Sequence, residues 1–182
     1  MPGPGGRADE FAGAALRVVA RGGLQAVSVR TVAAEAGWSA GALQKVFPTK
    51  EDLLRAAVDL MDRRVRDRTG GTTPTGDPVE DLAALVEETL PLDAHRREES
   101  LVWTAFALEG ARTPWIADVL RTQDDTVTAD LAPLVGEDVA RAVTALADGF
   151  AVRLLYDPGA ADAVRAALRT ALTALLTGTT PP

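Results

Sequence analysis

The hydrophobic residues of this chain recur with a helical period almost throughout its length. Phe11, Ala15 and Val18 fall on one face of a helix that the pair Gly22-Gly23 ends. Similar stripes predict eight further helices, and no segment shows the alternating pattern of a half-buried strand. The predicted fold is therefore all-α, with about nine helices.

Capping residues mark where the early helices begin. Ser28 precedes the second helix, Ser39 the short third helix, and Thr49 with Asp52 the fourth. Gly37 ends the second helix, so only three residues separate it from the third. Two helices joined by so short a turn with a glycine are typical of a helix-turn-helix motif.

One segment, residues 69–77, has the composition of a linker, with three glycines, a proline and no large apolar residue. It divides the chain into a predicted domain at 1–68 and a second at 77–182. The first holds the three-helix motif and a connecting helix, and the second is helical throughout. Its five helices are predicted at about 78–90, 95–109, 114–131 (ending before Pro133), 137–156 and 164–178.

The charge is divided unevenly between the two domains. The chain carries a formal net charge of −7, but residues 1–68 hold eleven basic and eight acidic side chains, a net of +3. Residues 69–182 carry a net of −10. A basic domain on an acidic chain suits binding of nucleic acid at one end. A solvated surface with a chance asymmetry explains the charge equally well.

Composition argues against an enzyme. The chain has no cysteine and a single histidine, so it offers no thiol nucleophile and no cysteine or histidine metal cluster. Acidic pairs such as Glu87-Glu88 and Asp124-Asp125 are adjacent in helices and diverge by about 100°. We therefore expect no catalytic residues, no metal and no cofactor.

No apolar run reaches the ~20 residues of a membrane span, and the first ten residues lack a signal core, so we expect a cytoplasmic protein without membrane contact.

The third predicted helix presents small and polar residues outward. Leu43 anchors it on its neighbours, while Gly41, Gln44 and Lys45 face away. So slim a helix fits a major groove about 12 Å wide. Gln44 could read adenine or contact a phosphate, and Arg30 could reach a base or the backbone. Ser28 and Lys50 could hold phosphates, although Ser28 could be a cap alone and Lys50 an ordinary surface lysine. The predicted DNA-binding residues are Ser28, Arg30, Ser39, Ala40, Gly41, Gln44, Lys45 and Lys50.

Aromatic side chains in the second domain are candidates for a ligand cavity, with plain helical core as the alternative for each. Two polar residues, Gln123 and Arg153, lie on or beside stripes that otherwise look buried, and a buried polar group needs a partner. The predicted ligand-binding residues are Trp103, Phe106, Trp115, Ile116, Gln123, Phe150 and Arg153.

The stretch SVRTVAAEAGWSAGALQKVFPTKEDLL, which begins at Ser28, resembles the DNA-binding module of the tetracycline-repressor (TetR) family of bacterial regulators. The resemblance covers residues 8–65. It depends on the A-x-x-A-G-x-S-x-G run at 33–41, on Phe47, and on Lys50-Glu51 with Leu53. Within it, the letters GWSxGAL are similar to the branch of choline-responsive betaine regulators.

The resemblance implies a homodimer that binds a double-stranded DNA operator through helix three and is released by a small-molecule effector. We expect dimerisation through the last two helices, burying the stripe from Val164 to Leu175, and recognition helices about 34–36 Å apart on a near-palindromic operator. Three positions depart from the family pattern: Gln44 replaces a common tyrosine, Lys45 a common histidine, and Val46 an aromatic. The alternative is a helical small-molecule-binding dimer or adaptor that has lost specific DNA binding.

Overall fold

A computed structural model describes residues 6–178 of the chain. Within this range the chain forms nine α-helices, two 3₁₀ turns (Leu24–Ala26 and Pro158–Ala160) and no strand, which confirms the predicted all-α fold. The outer ends of the two predicted domains, residues 1–5 and 179–182, lie outside the described range. The helices are α1 Gly6–Gly22, α2 Val29–Glu35, α3 Ala40–Val46, α4 Lys50–Thr69, α5 Pro78–Glu87, α6 Ala94–Gly110, α7 Pro114–Val135, α8 Glu137–Tyr156 and α9 Ala161–Gly178.

Side-chain caps fix the starts of the short helices, as predicted. The Ser28 hydroxyl accepts the amide of Thr31 at 3.1 Å, and Thr31 returns the bond, which closes a capping box at the start of α2. Thr49 and Asp52 form the same box on α4. A cap of this kind contributes about 1 kcal/mol relative to alanine. The seven-residue helices α2 and α3 depend on such caps because they have few internal hydrogen bonds.

The first hydrophobic core surrounds α1, which packs against α2, α4 and α6. Its fully buried members include Phe11, Val32 and Val58 from the first four helices. The same core continues into the second predicted domain through Val102 and Phe106 of α6, as well as Ile116 of α7. The N-terminal module therefore shares one continuous core with α6 and the start of α7.

The second core joins α5, α8 and α9. Leu168 and Leu172 of α9 are fully buried there, in the same cluster as Leu82 and Val86 of α5. The prediction that dimerisation buries the α9 stripe is therefore wrong. An amphipathic helix can bury its apolar stripe only once, and α9 uses it inside its own chain.

Helix α7 is longer than its sequence predicts, because it runs through Pro133 to Val135. The ring of Pro133 removes one amide donor, but so near the helix end only one hydrogen bond is lost. The next turn still closes, since the amide of Gly136 bonds the Ala132 carbonyl at 2.8 Å. The predicted end before Pro133 is therefore wrong.

None of the helices in residues 6–178 carries an apolar stretch long enough to cross a lipid bilayer.

Candidate functional site

The turn between α2 and α3 is a Schellman motif, a common helix-ending arrangement. The amide of Trp38 bonds the carbonyl of Ala33 at 2.8 Å, and the amide of Gly37 bonds that of Ala34 at 3.1 Å. Gly37 adopts φ +73°, a conformation that residues with a side chain rarely accept. The sharp turn redirects the chain so that α3 packs against α2 and leaves one face of α3 open.

The open face of α3 consists of Ala40, Gly41, Gln44 and Lys45, all exposed, as predicted. Leu43, on the opposite face, is 1% exposed and fixes the helix to the first core. A side chain added at Gly41 would find no atom within 4 Å. The glycine therefore serves no packing purpose within the described chain, although it weakens the helix by about 1 kcal/mol relative to alanine.

Two exposed cations beside this face have no carboxylate partner among the described residues, namely Arg30 and Lys45. Other arginines of the module are paired: Arg55 with Glu51 and Arg63 with Asp9. Positive charge therefore remains uncompensated on α2 and at the end of α3, as it does at Arg7, Lys50 and Arg64 among the described residues of the module. Such charges are available to an external anion such as a phosphate.

Glu35, at the end of α2, is held by two arginines of α1. Arg21 donates to its carboxylate through a short contact, and Arg17 through a bond of 2.7 Å. The bonds from Arg21, followed by those from Arg17, lower the pKa of Glu35 to about 2. The carboxylate therefore stays ionised at neutral pH and ties the helix-turn-helix to α1 without reducing the charge of Arg30 or Lys45.

Two predicted contact residues are partly occupied within the chain. The Ser28 hydroxyl caps α2, and the ammonium group of Lys50 donates to the carbonyl of Leu24 at 2.8 Å. This bond brings Lys50 beside the turn that leads into α2. Two of its three ammonium protons remain free, so the residue keeps its charge and its capacity to bind a further acceptor.

Trp38 packs at the helix-turn-helix turn. Its indole nitrogen donates to Glu10 at 3.0 Å, and its ring meets Phe11 edge-on at 6.3 Å. The Arg7 guanidinium lies 4.4 Å from the ring centroid. These contacts connect the start of α1 to the turn, and 39% of the residue remains exposed.

The predicted ligand-binding residues separate into distinct environments. Phe106 and Ile116 are buried in the first core, at 0% and 2% exposed. The Arg55 guanidinium of α4 lies 4.8 Å from the ring centroid of Trp115, so Trp115 contacts α4. The expectation that Arg153 sits in a buried position is wrong, because its side chain is 56% exposed and lies 3.9 Å from Asp157. Its position on α8 falls outside the buried stripe.

A polar site that the sequence did not reveal lies among α6, α7 and α8, which pack on one another. Burial raises the pKa of Asp148 on α8, the nearby Asp124 of α7 raises it further, and a bond from the Trp103 indole lowers it. Burial and the neighbouring Asp125 also raise the pKa of Asp124. Both carboxyl groups keep surface exposed to solvent, but two neighbouring carboxylates beside an indole still favour a positive charge.

Two predicted residues lie close to this polar site in the sequence. Gln123 precedes Asp124 on α7, is half-buried, and its amide has no hydrogen-bond partner among the described residues. Phe150, two residues after Asp148, packs against the second core. No local pattern in the sequence links α6, α7 and α8 at these positions, so only tertiary packing brings Trp103 and Asp148 together.

Two family models match the chain. Residues 13–57 match the model of bacterial regulatory proteins of the tetR family, which spans the helix-turn-helix. Residues 78–177 match the C-terminal model of BetI-type transcriptional repressors, which covers more than half of the chain. The second match contains the three helices of the polar site.

Similar proteins share both halves of the fold. The transcriptional regulator RHA1_ro04179 from Rhodococcus sp. Rha1 superposes with a TM-score of 0.87 at 30% identity, covering 96% of this chain and 100% of that one. The regulator PksA of Bacillus subtilis is 28% identical over 84% of this chain and 80% of its own length. The multidrug binding protein EbrR, solved with malachite green, has a TM-score of 0.73 at 28% identity, over 94% of this chain and 98% of EbrR. The chain therefore belongs to the TetR family and is a DNA-binding transcriptional regulator with a C-terminal domain of the BetI type.

Proposed function

We propose that the protein is a homodimeric repressor that binds a near-palindromic operator through α3 and is released when a cationic small molecule binds its second domain. The observation that carries the proposal is the open face of α3, where Gly41 allows close approach and Gln44 and Lys45 are free to contact DNA. Arg30, Ser28 and Lys50 would hold phosphates on either side. Gln44 would read a base edge, since a glutamine amide pairs bidentately with adenine.

The polar site among α6, α7 and α8 supports a cationic effector. Asp148 and Asp124 are close enough for each carboxylate to disfavour ionisation of the other, and the unpaired amide of Gln123 is close in sequence. A bound cation would offset the cost of ionising both carboxylates, and its apolar part would lie against the Trp103 ring. The malachite green bound by EbrR is a cationic dye, which agrees with this class of ligand.

The outward face of α9 supports the homodimer. Every exposed residue between 163 and 177 is alanine or threonine, although a quarter of the chain is charged. The hydroxyls of Thr170, Thr173 and Thr177 donate to carbonyls of their own helix, which reduces the polarity of this surface. On α8, which packs against α9, Gly149 and Val152 are also exposed. A second copy of the chain could pack closely on this face, because its side chains are small.

Ala166→Arg is expected to convert the dimer to a monomer of 19.0 kDa in sedimentation velocity. The residue is exposed on α9, so the protomer has no reason to unfold, whereas a guanidinium in a close helix contact is strongly unfavourable. Ala129→Arg adds the same group at an exposed position of α7 and should leave the dimer intact. Equal dimer dissociation constants for the two variants would place the interface elsewhere.

The proposal as a whole is tested by a gel-shift experiment with the DNA upstream of the protein's own gene. We expect a specific complex whose affinity falls steeply with salt, because several phosphates are neutralised, and which dissociates when malachite green is added. Binding of equal strength to any sequence at physiological salt would contradict the proposal and favour a helical adaptor without specific DNA recognition.

A further inference from the structure

The end of α4 is fastened to the second domain by one arginine. Arg68 donates to Glu99 of α6 through both terminal nitrogens, Nη1 to Oε1 at 3.2 Å and Nη2 to Oε2 at 2.5 Å. Nη2 also bonds the backbone carbonyl of Glu88, the residue that ends α5, at 3.3 Å. A single guanidinium thus connects three helices at the point where the linker begins.

The carboxylate partner is unusually buried. Glu99 is 7% exposed, and among the described residues no other charged side chain is buried to this degree. His95, one turn earlier on α6, lies 3.2 Å from the same carboxylate. A buried ion pair gives little net stability, because desolvation offsets the attraction, so its value often lies in fixing one arrangement of the parts it joins.

The arrangement around Arg68 leaves one donor unsatisfied. Its Nε atom is buried without a hydrogen-bond partner, and the nearest carboxylate oxygen, of Glu88, is 3.6 Å away. That oxygen also lies 3.4 Å from Arg96 of α6. A small shift of the end of α4 relative to the end of α5 would bring the Glu88 oxygen within bonding range of Nε. The same groups therefore offer a second arrangement close to the observed one, as a switching element requires.

Helix α6 links this cluster to the polar site. Glu99 and Trp103 are four residues apart, so they lie on the same face of α6 one turn from each other. At its other end, α4 carries Arg55, which stacks on Trp115 of α7. The two attachment points on α4, residues 55 and 68, are about 20 Å apart along the helix axis. A displacement of α6 at Trp103 therefore reaches α4 through Glu99 and Arg68.

We propose that Arg68 and Glu99 form a latch that couples the position of α6 to that of α4 and so joins effector binding to DNA binding. The inference rests on the proposed function, because it needs DNA bound at α3. Arg68 and Glu99 are positioning residues that touch neither ligand. Linkage makes the coupling reciprocal, so DNA must change effector affinity by the same free energy with which the effector changes DNA affinity. If the latch carries this coupling, DNA bound at α3 must also affect α6.

The test is hydrogen–deuterium exchange of the full chain with and without a duplex selected by the wild-type protein from random DNA. In the wild type we expect the duplex to change exchange in α3 and, by about fivefold or more, in residues 94–104 of α6, the lower end of typical couplings. In the double variant Arg68→Met with Glu99→Met, α3 should respond as before while residues 94–104 do not. Arg66→Met, which removes an exposed pair with Asp62 inside α4, is the matched control and should behave as wild type.

Stability measurements separate coupling from simple support of the fold. Arg68→Met alone leaves Glu99 buried and unpaired, so its thermal midpoint should fall, and the double variant should recover it because both charges are gone. The latch would be overturned if residues 94–104 of α6 still responded to DNA in the recovered double variant. It would also be overturned if, in the wild type, α3 responded and these residues did not. An unresponsive α3 in the wild type would instead refute DNA recognition by α3, and the latch would fall with it.

Discussion

Gly41→Glu is expected to lower the affinity for operator DNA by about a hundredfold or more, equivalent to about 2.8 kcal/mol, without unfolding the protein. A side chain at this position meets no atom of the chain within 4 Å, and glutamate is a better helix former than glycine. On the open face of α3, however, the glutamate would add bulk and a negative charge where the helix should approach the DNA groove closely. Fluorescence anisotropy with a labelled duplex measures the loss, and circular dichroism checks the fold.

Two controls accompany Gly41→Glu. Gly41→Ala adds only a methyl group and should keep most of the affinity, while Ala107→Glu adds the same charge at an exposed position of α6 and should change little. If Gly41→Glu bound the operator as tightly as Ala107→Glu does, the open face of α3 would not be the surface that meets DNA.

Asp148→Asn is expected to weaken binding of malachite green by about tenfold or more, about 1.4 kcal/mol, and at the same time to stabilise the free protein at neutral pH. Burial and the nearby Asp124 raise the pKa of Asp148 above its ordinary value of 3.8. Folding therefore favours the protonated form of Asp148. The folded state loses stability as the pH rises from 3.8 through the raised pKa. Below pH 3.8 the carboxyl is protonated both folded and unfolded, so the stabilising effect of asparagine should vanish there.

Asp130→Asn provides the comparison for Asp148→Asn, because Asp130 is an exposed aspartate on α7. It should leave both the dissociation constant of the dye, measured by equilibrium dialysis, and the thermal midpoint near those of the wild type. If Asp148→Asn lowered the midpoint at pH 7, or bound the dye as tightly as Asp130→Asn, the polar site would have no role in cation recognition.

The helix boundaries could be predicted from the sequence wherever a local signal sets them. Ser28, Ser39 and Thr49 precede their helices as predicted, because a cap acts over only three residues. Gly37 adopts the left-handed conformation that its place after α2 requires. The predicted end of α7 before Pro133 was wrong because the cost of a proline depends on how much helix follows it. Only two residues of α7 follow Pro133.

Which partner covers an apolar helix face could not be predicted from the sequence. The stripe of α9 shows that one side is apolar, but the same pattern suits a partner chain or the chain's own α5, and the second arrangement is the one observed. The polar groups of the effector site posed a similar difficulty. The neighbours of Asp148 come from helices α6 and α7. Glu99 is buried, and its partner is an arginine 31 residues earlier in the chain.

Whether α3 reads DNA through Gln44 can be tested by sequencing the duplexes that the wild type and Gln44→Ala retain from a random DNA library at the same salt concentration. For the wild type we expect a near-palindrome, and for Gln44→Ala a loss of base preference at one position in each half-site, placed symmetrically. Lys45→Ala should bind more weakly yet select the same bases, because a phosphate contact carries no sequence information. An identical motif at every position for the wild type and Gln44→Ala would contradict the claim that α3 reads DNA through this residue.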